Sequence, residues 1–195
     1  VQAENLEGRL FPDTYRLGKN WSLNRVVGAL TQRFDAVYGE VIAGHPNAAN
    51  LATPAARNHL VTLASLIEKE GQSQADRRLI SRVFHNRLAK KMRLQTDPTC
   101  VYGAHLYKRT PSPALCKDPA SSYSTYVIDG LPPTPIANPG RGSLEAALYP
   151  ATGDKAAKLL YFVAKRDGSK RHHFSETYAE HRQAVSRYLK RPEGK

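Results

Sequence analysis

Two glutamates stand two residues apart at the end of the apolar run Leu63-Ala-Ser-Leu-Ile-Glu-Lys-Glu70. A carboxyl lodged against apolar groups has a raised pKa, which suits a general acid working near neutral pH. The C-terminal end of a helix adds partial negative charge that pushes the same way. On a helical wheel both glutamates flank the apolar stripe, on opposite borders, with Glu68 nearest Val61 and Ala64. The wheel does not choose between Glu68 and Glu70. Two solvated glutamates paired with Lys69 or Arg77 would give the same pattern.

A second concentration is Leu94-Gln-Thr-Asp-Pro-Thr99. Gln95, Thr96, Asp97 and Thr99 crowd hydrogen-bonding groups around a rigid Pro98. Planar amides and carboxylates of this kind suit the hydroxyl and acetamido groups of a sugar, and ordinary turn chemistry is the alternative use. A third is Tyr123-Ser-Thr-Tyr126 followed by Gly130-Leu-Pro-Pro-Thr-Pro-Ile-Ala-Asn-Pro-Gly140. Aromatic rings beside a stiff proline loop make a wall on which sugars can stack.

Other chemistries lose their signatures. The seven histidines, His45, His59, His85, His105, His172, His173 and His181, show no H-E-x-x-H or other metal spacing, so no metal site is expected. The chain has no G-x-S-x-G elbow, no Walker loop and no G-x-G-x-x-G, which removes the usual marks of serine hydrolysis and of nucleotide chemistry. Two isolated cysteines, Cys100 and Cys116, are too few for a disulfide scaffold and form no C-x-x-C.

These groups need elements to position them. Ser22 can cap a helix to about Tyr38, with Leu23, Val26, Val27, Leu30, Phe34 and Val37 on its apolar stripe. Residues 39–51 read as a loop. Thr53 as N-cap, Pro54 in the first turn and Gly71 at the end frame the helix that carries both glutamates. Ser73 with Asp76 starts another, whose buried face is Leu79, Ile80, Val83, Phe84 and Leu88. The short connection predicts an αα-hairpin. Residues 92–140 are rich in proline, and a long irregular stretch in a compact domain is usually functional. Short strands are predicted around residues 93–95 and 123–128. A hairpin is predicted from Leu159–Ala164 and Lys170–Phe174 about Asp167-Gly168. Ser175 can cap a last helix to about Leu189 that buries Tyr178, Ala184, Val185, Tyr188 and Leu189. Helices with few, non-alternating strands make the class α+β.

The 195 residues suit a single domain, and 41% hydrophobic with 24% charged residues is a globular composition. No apolar stretch approaches the roughly eighteen residues that span a bilayer. The chain opens on Val1 without a basic-apolar signal segment, as a fragment or processed form would. Lys and Arg number 29 against 17 Asp and Glu, a net charge of +12. Such a chain is drawn to polyanions: nucleic acid, anionic lipid or an acidic cell-wall polymer.

Seven blocks together resemble the MltG/YceG family of endolytic murein transglycosylases. They are E-G-R-L-F-P-D-T-Y at 7–15, L-A-S-L-I-E-K-E at 63–70, V-F-H-N-R-L at 83–88, M-R-L-Q-T-D-P-T at 92–99, Y-S-T-Y at 123–126, G-L-P-P-T-P-I-A-N-P-G at 130–140 and Y-F-V-A at 161–164. Their order and spacing agree from Glu7 to Leu189. Ser124 stands where the family commonly has asparagine, and Thr134 and Lys91 where it commonly has glycine. Ser124 and Thr134 are expected to alter substrate contacts.

The resemblance implies a bacterial cell-wall enzyme, at the periplasmic face of the inner membrane, that cuts inside glycan strands. It implies Glu68 as the catalytic glutamate, and Gln95, Asp97, Tyr126 and Asn138 as groove residues. It implies no cofactor. It implies cell-wall synthesis enzymes as further partners. Residues 1–195 are then a single catalytic domain, without the N-terminal membrane helix and LysM-like subdomain that family members usually carry. A lytic transglycosylase can work with one glutamate, whereas glycoside hydrolysis uses two carboxylates. In an envelope compartment Cys100 and Cys116 are expected to form a bridge along one rim of the groove. Two other readings stand beside this one. A catalytically inactive peptidoglycan-binding domain would keep the groove and lose cleavage. A basic nucleic-acid-binding module would explain the charge, though no basic run with interleaved aromatics supports it.

Overall fold

The core is built around one helix that is buried on every side over about two turns. In the computed structural model, which describes residues 6–71, 73–103 and 109–189, that helix is α3, Pro54–Glu70. Every residue from Leu60 to Ile67 is buried, so α3 runs through the core and does not lie on its surface. The N-terminal helix α1, Leu23–Ala43, packs Phe34, Val37, Tyr38, Val41 and Ile42 into the same core. Ser22 caps it by accepting from Arg25 N–H, as expected. It continues past the predicted end at Tyr38, because Val41 and Ile42 extend the stripe at i+3 and i+4. The expected loop at residues 39–51 is therefore mostly helical, with a short helix α2 at Ala48–Leu51. Leu23, expected on the stripe, is 76% exposed.

The αα-hairpin forms as predicted, from α3 and α4, Gln74–Ala89. Ser73 caps α4 by accepting from Asp76 N–H at 3.2 Å. Gly71 ends α3 for a different reason than the usual left-handed cap. Its φ is −88°, but a Cβ there would meet Arg77 Cγ at 2.6 Å, so the close crossing of the two helices requires glycine. Thr53 is not a side-chain cap: its hydroxyl donates to Asn50 O.

Neither predicted strand at 93–95 or 123–128 forms. The two segments are irregular and are joined by threonines. Thr125 O accepts from Gln95 N–H, Thr125 Oγ1 accepts from Thr96 N–H, and Thr99 Oγ1 accepts from Thr125 N–H. Thr96, Thr99 and Thr125 are all buried, and their hydroxyls stand in for ladder bonds. A 3₁₀ turn at Asp97–Val101 and a short helix α5, Pro113–Cys116, follow, and Cys100 and Cys116 are bridged between them. Lys91, at the position where the resemblance leads one to expect glycine, has φ +53°, so its backbone adopts the left-handed region glycine favours.

Helix α6, Arg141–Leu148, packs on α3, α4 and α1, and α7, Asp154–Lys158, on α4. The predicted hairpin is present as β1, Tyr161–Ala164, and β2, His172–Ser175, antiparallel with Phe162 opposite Phe174. The last helix is α8, Tyr178–Leu189. Its cap is Thr177, not Ser175. Thr177 Oγ1 accepts from Glu180 N–H while Glu180 Oε2 accepts from Thr177 N–H, a reciprocal box. Tyr178 is 61% exposed, not buried. The class is α+β, as expected. No described helix is long and apolar enough to cross a membrane.

Candidate active site

Glu68 and Glu70 lie about 200° apart around α3, at 100° per residue, so they face different neighbours. Glu68 faces the start of α6. Its Oε2 accepts from Gly140 N–H at 3.1 Å and from the Ser143 hydroxyl at 2.7 Å, and Arg77 of α4 stands 3.6 Å from Oε1. A carboxylate at a helix N-terminus is stabilised both by free N–H groups and by the macrodipole. Glu68 thus ties α3, α4 and α6 together and is engaged on both oxygens.

Glu70 faces the other way, into a cleft of about 480 Å³. Gln95, Asp97 and Tyr126 line the same cleft, so the structure brings these three expected groove residues around Glu70 and not Glu68. Glu70 keeps partial solvent access, yet the surrounding protein strips enough water that its pKa is pushed up to about 6. The neighbouring Asp97 charge adds to that rise, and the hydrogen bond from the Thr96 hydroxyl to Oε1 opposes it.

The cleft's polar wall is held from behind. Tyr126 donates to Asp97 Oδ1 at 2.6 Å, and burial together with this carboxylate raises its phenol well above the ordinary range. Gln95 has φ +50°, a left-handed conformation for a residue that is not glycine. Such strain costs about 1–3 kcal/mol and clusters at functional sites. It turns exposed Gln95 to the cleft between buried Leu94 and Thr96.

Asn138, the fourth expected residue, is not in this cleft. Its Oδ1 accepts from Leu10 N–H at 2.9 Å and so fastens the N-terminal segment to the proline loop. That loop also lies apart from Glu70. Thr134 and Pro135 line a second cleft of about 510 Å³ with Val61, Pro54 and Asn58. Gly8 is required there: its φ is +86°, and a Cβ would meet Pro135 Cγ at 2.6 Å. Ser124 is fully buried and donates to Cys116 O at 2.6 Å, so it supports the bridged segment and does not touch the cleft. Thr134 shares a hydrogen bond with Tyr123 Oη.

Sequence reasoning missed the opposite wall, which comes from α4 and the hairpin. Arg87 is buried on the inner face of α4 and donates to the carbonyls of Leu160, Arg93 and Leu94. Its guanidinium lies over Tyr161 at 5.1 Å, and burial lowers its pKa. His181 stacks on the same tyrosine at 5.3 Å, and its pKa is lowered by burial, so the ring is a neutral platform at neutral pH. The available signal was Arg87 in register with Val83 and Phe84, a charge placed on a core face. His172 also lines the cleft.

Asp97, Cys100 and Cys116 approach one another closely enough to suggest metal ligands. The two sulfurs are joined in a disulfide and offer no thiolate, so these residues do not suit a metal. His105 lies outside the described residues.

Comparison with known proteins gives one consistent set of relatives. A family model described as the YceG-like family matches residues 1–187. The chain is 41% identical over 187 residues to the endolytic murein transglycosylase of Bacillus subtilis (strain 168), covering 94% of this chain and 48% of that protein. It is 33% identical over 168 residues to the endolytic murein transglycosylase of Streptococcus pneumoniae (strain ATCC BAA-255 / R6), covering 82% of this chain and 28% of that protein. A crystal structure of a YceG-like protein from Listeria monocytogenes superposes with a TM-score of 0.77 at 36% identity, covering 92% of this chain and 55% of that one. The chain therefore spans about half or less of the length of the curated relatives it matches.

Proposed function

The chain belongs to the YceG-like family, and from that premise we propose that it is a lytic transglycosylase that cleaves peptidoglycan glycan strands, with Glu70 as its acid and base. The proposal departs from Glu68, the glutamate implied by the resemblance. One observation carries it: Glu70 is the carboxyl with a pKa of about 6 in the cleft that also holds Gln95, Asp97 and Tyr126. Glu68 is instead consumed in capping α6.

At a pKa near 6, much of Glu70 is protonated in mildly acidic conditions and can still recover a proton near neutrality. The protonated carboxyl gives its proton to the glycosidic oxygen between N-acetylmuramic acid and N-acetylglucosamine. The bond from that oxygen to the muramyl C1 breaks, leaving an oxocarbenium-like centre, and the N-acetylglucosamine side departs with a new hydroxyl. Ionised Glu70 then takes the proton of the muramyl 6-hydroxyl, whose oxygen bonds to C1. The product is a 1,6-anhydro end, and Glu70 is protonated as at the start. Because the nucleophile belongs to the same sugar, proximity supplies much of the acceleration. Gln95 and the Asp97–Tyr126 pair hold hydroxyl and acetamido groups, and Tyr161 with His181 offers rings for a sugar face. The bacterial cell envelope is the compartment, and the net charge of +12 suits an anionic wall.

Incubation with purified peptidoglycan and analysis for 1,6-anhydro products tests the reading. Glu70→Gln is expected to lose about a hundred- to ten-thousand-fold in rate, while Glu68→Gln retains most activity in its folded fraction. The reverse result returns the role to Glu68. A parent protein that binds glycan and releases no anhydro product is a binding domain.

A further inference from the structure

Asp76 and His172 form a polar pair at the edge of the same cleft, and the mechanism above uses neither. Asp76 stands in the first turn of α4 and is 1% exposed. Its Oδ2 accepts twice from His172, from the backbone N–H at 2.8 Å and from ring Nδ1 at 3.1 Å. The Arg171 guanidinium stays 3.7 Å from Oδ1 and is mostly exposed, so it screens the carboxylate only weakly. A carboxylate only accepts, so Nδ1 carries the hydrogen, and in the neutral ring Nε2 is an acceptor.

The ring is held in place. Phe162 meets it edge-on at 5.6 Å, and the side chain is 7% exposed. Nε2 nevertheless has no hydrogen-bond partner among the described residues, and it is not one of the polar atoms sealed from solvent. His172 lines the cleft with Glu70, Gln95 and Asp97. Fastening the hairpin to α4 would need only the backbone N–H bond. The second bond, to the ring, sets which nitrogen is left as an acceptor.

We propose that His172 is a substrate-contacting residue: Asp76 holds its tautomer, and Nε2 accepts a hydrogen bond from a glycan O–H or acetamido N–H in the Glu70 cleft. The inference rests on the reading of that cleft as a glycan site. It assigns Asp76 as a positioning residue that acts only through the imidazole.

Two amide substitutions separate this role from a structural one. In His172→Asn the amide nitrogen stands near Nδ1 and keeps the bond to Asp76, but nothing occupies the Nε2 position. In His172→Gln the amide reaches that position and keeps an acceptor there. The expected result is a His172→Asn protein with parental Tm whose kcat/KM on peptidoglycan falls about three- to tenfold, with much of the loss recovered in His172→Gln. Parental kcat/KM in His172→Asn overturns the proposal. A second measurement needs no change at the histidine. The Nε2 resonance of His172 is followed by ¹⁵N spectroscopy in Glu70→Gln protein titrated with a tetrasaccharide of alternating N-acetylglucosamine and N-acetylmuramic acid. Movement on binding supports the contact, and an unmoved resonance at saturation overturns it. Cleavage by Glu70→Gln at the parental rate would sink the reading of the cleft itself. An inactive Glu70→Gln beside a fully active His172→Asn sinks only the present inference.

Discussion

Thr96 donates its hydroxyl to Glu70 Oε1, so the last residue of α3 is held by the segment that also carries Gln95 and Asp97. Thr96 is itself 2% exposed and pinned through its N–H to Thr125 Oγ1. The proposed acid is therefore aimed by a group that cannot easily move. That bond favours the ionised carboxyl and opposes desolvation. Thr96→Val removes the donor at nearly constant shape. The Glu70 pKa should then rise above about 6, and the alkaline limb of kcat/KM should move to higher pH. A pH–rate profile with an unmoved limb contradicts the coupling.

Burial of Glu70 also makes stability depend on pH. Its pKa is about 6 in the folded protein against an ordinary glutamate value of 4.5. Between those pH values the folded state holds more protons than the unfolded one, so stability from this group falls as pH rises and stays lowered above 6. The loss is about 2 kcal/mol. Glu70→Gln removes it. At pH 8 the variant should melt about 4–8 °C above the parent, and near pH 4.5 the two should melt together. Equal melting temperatures at pH 8 would rule out a desolvated charge.

Glu68 is expected to matter for stability more than for chemistry. Glu68→Ala leaves Gly140 N–H and the Ser143 hydroxyl without their acceptor and Arg77 without its carboxylate. The cost should be about 2 kcal/mol, a fall in Tm of about 4–8 °C. Calorimetry at neutral pH checks it. A parental Tm would mean that other groups cap α6.

The Cys100–Cys116 bridge closes a loop beside Asp97 and Tyr126. Chain-entropy arithmetic for this loop gives about 3 kcal/mol. Reduction should lower Tm by roughly 6–12 °C and weaken glycan affinity, because α5 and the 3₁₀ turn that starts at Asp97 lose their tie. Intact mass before and after reduction reports the bridge directly, and an unchanged mass would mean free thiols.

Much of the fold was legible locally. Ser22 and Ser73 marked two helix starts, the apolar stripes marked α3 and α4, and Asp167-Gly168 marked the hairpin, with Gly168 at φ +82°. These signals are short-range: a cap or a turn acts within a few residues. The threonine network was not legible, because its members are up to 29 residues apart and no periodicity links them. Cleft residues Gln95, Asp97 and Tyr126 were found from chemistry and family blocks, whereas Arg87, Tyr161 and His172 come from elements that meet only in three dimensions. The two glutamates show the division most clearly. Sequence periodicity gives the angle of each side chain about the helix axis, and so established that Glu68 and Glu70 point to different borders of the stripe. It contains nothing about what covers each border. Tertiary packing decided that: the start of α6 meets Glu68 with the Gly140 N–H and the Ser143 hydroxyl, while a cleft stays open beside Glu70 and strips it of water without sealing it.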